Sequence, residues 1–597
     1  KCHYLEYYLA TLMSSVIGSN DINMYYKEGM KKQIHFTTPN INISTEEFIE
    51  IVKKRFRYYQ PRRVKRVDIP KPNGKTRPLG IPSMWDRIAQ QCILQVLEPI
   101  CEAKFYKYSF GFRPTKSAEN AISTAAGRIT NNRMQYVVDI DIKSFFDEVK
   151  HTKLMRQIWT IGIRDKQLLV ILRKMLKAPI VLPNGDVTYP TKGTPQGGIL
   201  SPLLANINLN EFDWWIANQW ESMKCHSIND YLNKKTGLTS HQYRYRKLRE
   251  TSTLKEMYIV RYADDFKIFT TSRANANKIF IASKLWLEER LGLTVSEEKS
   301  QITNLKKKSS EFLGFDLKME RKGYDRVGNK KFVCQSHITE KARKRIKDQL
   351  KNQIKVIQHA PTGTELIKQL QVYNSMVIGI HNYYQIATQV SASLMPIQYQ
   401  LTQVERHRFK HLSLKKRANG YRITDKGIRP YLKSEMTRYI SDYPIIPIGY
   451  IRTRTALMPK NGVCKFTLEG RALIHRNQNS VPEWQLQWLR EHPITSERAT
   501  IELNDNRISL FVAQNGKCAV MGDELILTDM DCHHKTLWHE TKDDRYVNLV
   551  LISRDVHRLI HATTEETIQS YLELLKPNEE QRNKLNQLRK MVGNEAI

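Results

Sequence analysis

Apolar and polar residues alternate with helical spacing in two segments near the start of the chain. Residues 45–66 predict a helix that ends in a basic run, and residues 86–100 predict a second, buried helix. Between them, residues 67–70 are typical of a short strand, and Asn73-Gly74 favours the positive φ angles of a tight hairpin. This part of the chain is therefore predicted to be a helix, a β-hairpin and a helix.

Apolar and β-branched residues predict three strands in the middle of the chain. Residues 136–142 form one such run, interrupted by carboxylates, and residues 257–262 and 266–269 form two more. The last two strands flank Ala263-Asp264-Asp265, which predicts a hairpin turn. Asp141 and Asp264 are far apart in the chain, so only a folded sheet can bring their carboxylates together.

After residue 312 the pattern changes to long cationic helices. Residues 322–441 are predicted to be helical and basic with interspersed aromatic residues, as residues 341–356 illustrate. Residues 443–462 are rich in proline and glycine and are predicted to connect domains. We place a further boundary near Asn504, because a separate group of histidines follows it.

The charge of the chain narrows the class of protein. Among 597 residues, 95 are lysine or arginine and 60 are aspartate or glutamate, which gives a net charge of +35. With 41% hydrophobic residues the chain can build several cores. Such an excess of cations on compact domains indicates a polyanionic partner, and nucleic acid is the expected one. A basic protein of the membrane surface is the less favoured alternative, since the cations are spread along the chain.

Cysteine spacing and the length of the apolar runs further narrow the class of protein and its compartment. The eight cysteines form no CxxC pair, which disfavours a disulfide-rich secreted protein and fits a reducing compartment. The chain has no run of about eighteen apolar residues, so no transmembrane helix is predicted.

Three acidic residues at strand ends form the first candidate site. Carboxylates among apolar strand residues, such as Asp141, Asp264 and Asp265, are costly to bury unless they are paired or bind a cation. Mg²⁺ prefers oxygen ligands, and two Mg²⁺ ions about 4 Å apart can activate a 3′-hydroxyl and stabilise a leaving pyrophosphate. Taken alone, an Asp-Asp pair in a loop more often caps a turn or pairs with a surface arginine.

The sequence around these residues resembles motifs of reverse transcriptases. Tyr262-Ala263-Asp264-Asp265 resembles their YxDD signature, and residues 141–147 (DIKSFFD) resemble the motif that carries the first catalytic aspartate. Residues 193–207 (GTPQGGILSPLLANI) resemble a third motif in the form typical of group II intron enzymes. Four further segments match that family in order: 77–82, 110–114, 296–299 and 312–315. The resemblance covers about residues 71–315 and implies a reverse transcriptase.

This resemblance implies the roles of the residues that bind metal. Asp141 and Asp264 would ligate two Mg²⁺ ions, and the main-chain carbonyl of Ile142 would supply a further oxygen. Asp265 would be the weaker, outer ligand.

The resemblance also implies four contacts to the incoming dNTP. Lys71 and Arg77 would pair with its triphosphate, because arginine can bind phosphate bidentately. The ring of Phe146 would lie under the sugar and exclude a 2′-hydroxyl, with plain core packing as the alternative. Gln196 would contact the nucleotide and the template.

The cationic region beyond the palm resembles the thumb of group II intron proteins, their maturase region or X domain, which binds intron RNA. Basic helices with stacking side chains suit the grip on a nucleic acid duplex. Four cations of one predicted helix are the candidate RNA contacts: Arg343, Lys344, Arg345 and Lys347. Taken singly, each is more often a solvated charge.

Histidines near the end of the chain form a second candidate site. His533-His534 is predicted on a strand, Asn548 on the loop that follows, and His557 and His561 one turn apart on a helix. This order resembles the HNH nuclease motif. It implies that His533, His557 and His561 hold one divalent cation, for which we expect Mg²⁺. His534 would then be the general base, and Asn548 would orient that base or tie the loop. A lone histidine pair would more often be structural.

One departure from the family pattern concerns zinc. Many group II intron proteins flank the HNH site with two CxxC pairs that bind structural zinc. Here the first pair retains only Cys518, because Met521 stands three residues later in place of its second cysteine. Ser553 and Val556 replace both cysteines of the second pair. We therefore expect no structural zinc, so that packing alone must hold this domain.

The resulting fold prediction is a multidomain α/β and α protein. It combines right-hand polymerase fingers and palm, an α-helical thumb or maturase domain, and a small ββα-metal HNH nuclease domain. Five regions are predicted. They are an N-terminal extension of the fingers (1–66), the fingers and palm (67–320), the thumb or maturase domain (321–445), a DNA-binding region (446–504) and the HNH endonuclease (505–597).

The predicted function is that of a group II intron-encoded protein with reverse transcriptase, RNA maturase and DNA endonuclease activities. Its expected partners are its host intron RNA, target DNA and dNTPs, without a membrane. We expect it in a bacterial cytoplasm, within a ribonucleoprotein. The alternative is an RNA-binding splicing maturase whose polymerase and nuclease sites are vestigial. The intact aspartates and histidines favour the first hypothesis.

Overall fold

The first described part of the chain follows the predicted order of elements. In this computed structural model the described residues are 45–70, 76–195, 197–224, 231–232, 239–324, 328–361, 363–417, 427–460, 462–475, 481–496 and 499–597. The first elements are α1 (Thr45–Arg57), β1 (Val64–Pro70), β2 (Thr76–Ile81) and α2 (Met84–Glu102). The strands β1 and β2 pair antiparallel. The turn predicted at Asn73-Gly74 lies outside the described residues.

The helix predicted over residues 45–66 is wrong in its second half. It ends at Arg57, and β1 begins at Val64. The side chain of Val64 is buried whereas Lys65 is exposed. The basic run therefore spans the segment before β1 and the start of that strand, and it is not the last turn of a helix.

The middle of the chain builds a four-stranded antiparallel sheet with order β10-β3-β9-β8. Two short strands, β4 and β5, instead extend the first hairpin into a sheet of order β2-β1-β4-β5. The strands predicted in this region are confirmed, with β3 ending at Ile140. The elements are α3 (Ala118–Thr130), β3 (Tyr136–Ile140), α4 (Phe145–Glu148), α5 (His151–Ile161), α6 (Lys166–Leu176), β4 (Ile180–Val181), β5 (Val187–Thr188), α7 (Ser201–Gln219), β6 (Tyr231–Leu232), β7 (Thr239–Ser240), α8 (Gln242–Thr251), β8 (Met257–Tyr262), β9 (Asp265–Thr270), α9 (Arg273–Trp286) and β10 (Gln301–Asn304).

A β-hairpin and three long helices follow. Helix was predicted from residue 322 onwards, and this is wrong for the first part, because β12 and β13 pair antiparallel with alternating buried residues. In the first long helix, Ala342, Ile346 and Leu350 are buried on one face. The elements are β11 (Ser310–Phe312), β12 (Phe315–Tyr324), β13 (Lys330–Ile338), α10 (Glu340–Gln358), α11 (Thr364–Tyr384), α12 (Val390–Arg408), β14 (Arg438–Ile440) and β15 (Tyr443–Ile445).

Buried residues form two hydrophobic cores. The larger core runs from Tyr59 to Ile448, and the smaller one runs from Val481 to Val592. The first core thus extends past residue 445, and the second includes the end of the region predicted to bind DNA. The C-terminal elements are α13 (Leu468–His475), α14 (Glu483–Glu491), α15 (Ile501–Ala513), β16 (Met530–His534), α16 (Trp538–Thr541), β17 (Leu549–Ser553), α17 (Arg554–His561), α18 (Glu565–Leu575) and α19 (Glu579–Met591).

The segment between the two cores lies along α3. The guanidinium of Arg454 pairs with both carboxylate oxygens of Glu119, at 2.5 and 2.7 Å. The amide of Leu457 donates to the same carboxylate, and the hydroxyl of Ser123 donates to the Leu457 carbonyl. Within the described residues, no helix combines the length and the apolar character that crossing a membrane requires.

Candidate active sites

The central sheet brings the three predicted carboxylates of the polymerase site to one end. Strand β3 pairs antiparallel with β9, and Ile140 lies opposite Phe266. Asp141, the next residue, therefore comes beside Asp265, and Asp264 occupies the turn between β8 and β9. Desolvation raises the pKa of Asp265 to about 6; Lys267 opposes this shift, and the charges of Asp264 and Asp141 add to it. The charges of Asp141 and Asp264 therefore act on Asp265, and a hard cation such as Mg²⁺ would offset this repulsion.

The turn that carries Asp264 packs closely against the loop that contains Gly111. Ala263 has a φ of +58°, and a Cβ added to Gly111 would lie 2.2 Å from the Ala263 amide nitrogen. The loop of Gly111 is held by an amide of Phe110, which donates to the Arg261 carbonyl at 2.8 Å. Only glycine at position 111 lets this loop approach the turn so closely.

Arg261 is a buried cation behind the same turn that sequence reasoning missed. Its side chain forms a bidentate ion pair with Asp213, with a shortest N–O distance of 2.7 Å, and both residues are at most 1% exposed. The guanidinium also donates to the Ala263 carbonyl at 2.7 Å and to the Asn206 side chain at 2.9 Å. The available signal was a charged residue inside an otherwise apolar strand.

Two lysines neutralise acidic groups around the site. Lys299 Nζ lies 3.1 Å from Asp141 Oδ2, and the amide of Asp141 donates to the hydroxyl of Ser300. Lys267 Nζ lies 2.5 Å from Asp139 on the neighbouring strand. The family motif that contains Lys299 therefore lies against the first aspartate.

The structure describes two of the four residues that are predicted to contact the nucleotide. Phe146 is half-buried on α4, and its carbonyl accepts a hydrogen bond from the Thr194 amide at 2.7 Å. This bond joins α4 to the loop that precedes position 196. Arg77 lies on β2 opposite Ile69. Lys71 and Gln196 lie outside the described residues, and Ile142 follows β3 with a buried side chain.

The four predicted RNA contacts lie on α10. Lys344 and Arg345 are exposed, whereas Arg343 and Lys347 are half-buried. The apolar face of the same helix packs into the larger core. The helix therefore presents part of its cationic face to solvent.

Three histidines converge in the C-terminal unit, where β16, β17 and α17 form a ββα arrangement. The donor nitrogens of His533, His557 and His561 lie within 4.8 Å of one another; among the described side chains, this is the sole group of three that does so. His533 is 1% exposed, and neither of its ring nitrogens has a hydrogen-bond partner in the described structure. Burial, and to a lesser extent the charges of the neighbouring histidines, lower the pKa of His533 to about 3. A buried, neutral and unpaired imidazole fits a metal ligand.

Hydrogen bonds orient the remaining side chains of this site. His557 Nδ1 lies 2.9 Å from Asp531 Oδ2, which leaves Nε2 for a cation. His534 Nε2 forms a hydrogen bond with Asp544 Oδ1 at 2.7 Å. The Asn548 side chain accepts from the Thr536 amide and donates to the Asp543 carbonyl, so that it ties the loop between β16 and β17.

Two of the four positions at which many group II intron proteins carry zinc-binding cysteines lie close together in this structure. Cys518 Sγ lies 4.0 Å from Ser553 Oγ, Val556 is fully buried, and Met521 packs against the smaller core. A thiol, a hydroxyl, an isopropyl group and a thioether do not form the thiolate set that structural zinc requires.

Comparisons with known proteins agree with the polymerase geometry. Residues 69–317 match the family model described as "Reverse transcriptase (RNA-dependent DNA polymerase)". The chain is 36% identical over 272 residues to Protein YkfC of Escherichia coli, which corresponds to 45% of this chain and 70% of that protein.

Two similar proteins have names that refer to introns. The group II intron-encoded protein LtrA of Lactococcus lactis subsp. cremoris is 31% identical over 462 residues, covering 66% of this chain and 76% of LtrA. The putative COX1/OXI3 intron 2 protein of Saccharomyces cerevisiae is 32% identical over 283 residues, covering 43% of this chain and 32% of that protein. The similarity thus extends beyond the polymerase sheet.

Proposed function

Because this chain belongs to the family of group II intron-encoded reverse transcriptase/maturase proteins, we propose that it copies, helps to splice and mobilises its own host intron. In this proposal it binds the intron RNA as a maturase and inserts it into DNA as part of a ribonucleoprotein. It then nicks the second DNA strand and extends the exposed 3′ end along the intron RNA.

The polymerase part rests on the approach of Asp141 to Asp264 and Asp265 at one end of the sheet. These carboxylates and the Ile142 carbonyl would hold two Mg²⁺ ions, which supply activation of the 3′-hydroxyl and charge stabilisation of the leaving pyrophosphate. The sheet fixes two of the acids through β3 and β9. Lys299 Nζ lies 3.1 Å from Asp141 Oδ2 and adds a positive charge beside these acids.

The remaining residues of the proposed polymerase site act on the nucleotide. Lys71, Arg77 and Gln196 would bind the dNTP and the template. Phe146 would exclude ribonucleotides by contact with the 2′-hydroxyl. The hydrogen bond from the Thr194 amide to the Phe146 carbonyl supports the assignment of Phe146, because it joins the helix of this ring to the segment 193–195 of the family motif.

The maturase part rests on charge and position. Four cations of α10 would contact phosphates of the intron RNA: the exposed Lys344 and Arg345 and the half-buried Arg343 and Lys347. We propose DNA contacts for the region 446–504, which precedes the histidine site in the chain. The region is basic and aromatic, but this assignment rests on the order of the regions alone, since the region matches the family's DNA-binding segment in position.

The endonuclease part rests on the three converging histidines. His533, His557 and His561 would hold one divalent cation, proposed to be Mg²⁺, which would supply charge stabilisation at the scissile phosphate. His534 would take the proton of the attacking water. Asn548 would keep the loop of that base in place.

Primer extension on poly(rA)/oligo(dT) tests the polymerase proposal. Wild-type protein should incorporate dTTP, and Asp264→Ala should reduce incorporation by more than about 1,000-fold, because a ligand of the reacting centre is lost. Asp186→Ala, an exposed aspartate of a distant turn, is the control and should retain activity. Wild-type protein that splices its intron but makes no cDNA would instead favour an RNA-binding maturase with a vestigial polymerase site.

A further inference from the structure

His534 is the neighbour of His533 at the end of β16 and has an acidic partner of its own. Only His533 of the two belongs to the group of three converging histidines, and the charge of His534 acts on it. His534 Nε2 lies 2.7 Å from Asp544 Oδ1. A carboxylate oxygen can only accept, so Nε2 carries the proton in this contact and Nδ1 is left as the basic atom.

Asp544 is itself held firmly by α15. Its side chain is only 4% exposed, and its second oxygen, Oδ2, accepts a hydrogen bond from the Thr500 hydroxyl at 2.6 Å. Thr500 is also the N-cap of α15, since its hydroxyl accepts from the Leu503 amide at 2.9 Å. The side-chain amide of Asn506 donates to the Asp544 carbonyl at 2.7 Å. Oδ2 and the main-chain carbonyl of Asp544 are therefore held by the first turns of α15, while Oδ1 contacts His534.

We propose that Asp544, supported by Thr500, is the positioning residue of the nuclease site. The inference rests on the proposed endonuclease function and deepens it. The Asp544 carboxylate fixes the tautomer and the ring orientation of His534, so that Nδ1 faces the attacking water. In the reaction, the water proton passes to Nδ1 and the water oxygen bonds to phosphorus. The bond from phosphorus to the 3′ oxygen breaks, and that oxygen takes a proton from solvent, which leaves the 3′-hydroxyl that priming requires.

The neighbouring residue Asp543 provides a matched control. It lies in the same loop and is buried to the same extent as Asp544, at 5% exposure. Its carboxylate forms a bidentate ion pair with Arg545 at 2.9 Å. Its charge acts on His534 through space, whereas the hydrogen bond to His534 comes from Asp544. Asp543→Asn therefore changes the charge of this loop without removing the partner of the base.

The test is a nicking assay with the full chain and the intron RNA that surrounds its reading frame. The substrate is a DNA duplex that carries the joined flanking exons, and Mn²⁺ is the probe cation. Asp544→Asn should lower kcat about 100-fold with an unchanged KM and an unchanged Mn²⁺ dependence, which is the size typical of lost orienting partners. Asp543→Asn should stay within about threefold of wild type.

Substitution of Thr500 is a second and milder way to disturb the position of Asp544. Thr500→Val should lower kcat by about tenfold, and Thr500→Ser, which keeps the hydroxyl, should restore it. A structural defect would not be rescued in this way at constant KM. Primer extension measured on the same preparations reports that the rest of the chain is folded.

The outcomes separate this inference from the function on which it rests. Asp544→Asn protein that nicks like wild type overturns the positioning role alone, and so does an equal loss in Asp543→Asn. Wild-type protein that does not nick, or His534→Ala protein that nicks normally, overturns the proposed endonuclease mechanism. Loss confined to Asp544→Asn and Thr500→Val, with serine rescue, supports the inference.

Discussion

At the scale of single residues, the clearest feature is a cation placed where water cannot reach it. Burial of a guanidinium is costly unless each donor group finds an acceptor. Arg261 meets this condition with Asp213, Asn206 and the Ala263 carbonyl, all within 2.9 Å. The ion pair secures the charge, and the bond to Ala263 fixes the turn that carries Asp264. Stability and turn position are therefore separable contributions of one side chain.

Paired substitutions at Arg261 and Asp213 distinguish these contributions. Arg261→Met should lower the free energy of unfolding by about 3–5 kcal/mol, because it leaves the Asp213 carboxylate buried and unpaired. Adding Asp213→Leu should recover most of this loss in urea unfolding. Primer extension should stay at least about tenfold below wild type in the double variant, since the Ala263 carbonyl still lacks its donor. A double variant that polymerises at the wild-type rate would contradict a positioning role for Arg261.

A buried acid in the predicted thumb makes stability depend on pH. Burial raises the pKa of Glu405, which is 4% exposed, to about 7, and a hydrogen bond from Tyr373 partly opposes the shift. The folded state therefore holds a proton that the unfolded state releases from about pH 4.5, so this group destabilises the fold as pH rises to 7.

Replacement of Glu405 by glutamine tests this sign. Glu405→Gln should raise the free energy of unfolding by about 2 kcal/mol at pH 8 and leave it nearly unchanged at pH 4.5, as measured by urea unfolding. Glu365→Gln on the exposed side of α11 is the control and should show no such pH-dependent gain. A gain from Glu405→Gln that is equal at both pH values would exclude proton linkage at this residue.

At the scale of elements, patterns of local origin were predicted better than those imposed by distant partners. The hairpin of β8 and β9 and the helix α2 follow from period-2 and helical spacing and are confirmed. The start of β1 was assigned to a helix, because its cations lie on the solvent face of a strand and mimic a charged helix end. Likewise, β12 and β13 are polar towards their exposed ends, which hid their alternation.

In the candidate sites, too, local motifs could be predicted from the sequence, whereas contacts with distant residues could not. The identities of the carboxylates and histidines could be taken from short motifs, and the structure brings together those it describes. Their supporting partners could not be predicted in this way. Asp213 supports Arg261 from α7, and Asp544 supports His534 from a loop, so both pairs depend on tertiary packing rather than on spacing in the sequence.

Contact between two elements explains the glycine in the loop 110–114. Gly111→Ala should push the turn of Ala263 and Asp264 away, because the added Cβ would lie 2.2 Å from a main-chain nitrogen. We expect primer extension to fall by at least about tenfold, since small displacements of reacting groups are costly. The control is Gly379→Ala inside α11, where nothing lies within 4 Å of the added carbon. This control should retain activity, and normal activity of the Gly111 variant would show that the turn can adapt.

At the scale of the whole molecule, two cores carry two sites of different chemistry. The carboxylates belong to the core that ends at Ile448, and the histidines belong to the core that begins at Val481. The segment between the cores is anchored to α3 through Glu119. A net charge of +35 on the whole chain is consistent with the proposed binding of both RNA and DNA.

The separation of the cores predicts that each activity can be removed alone. His534→Ala should abolish nicking of the second DNA strand, because the proposed base is lost, while primer extension stays within about twofold of wild type. Asp264→Ala should do the reverse, leaving a nicked strand that is not extended. Both activities are measured on the same ribonucleoprotein, with a labelled target duplex for nicking and labelled dTTP for synthesis. If either substitution removed both activities, the sites would be coupled across the segment that contains Arg454, and two independent active sites would be refuted.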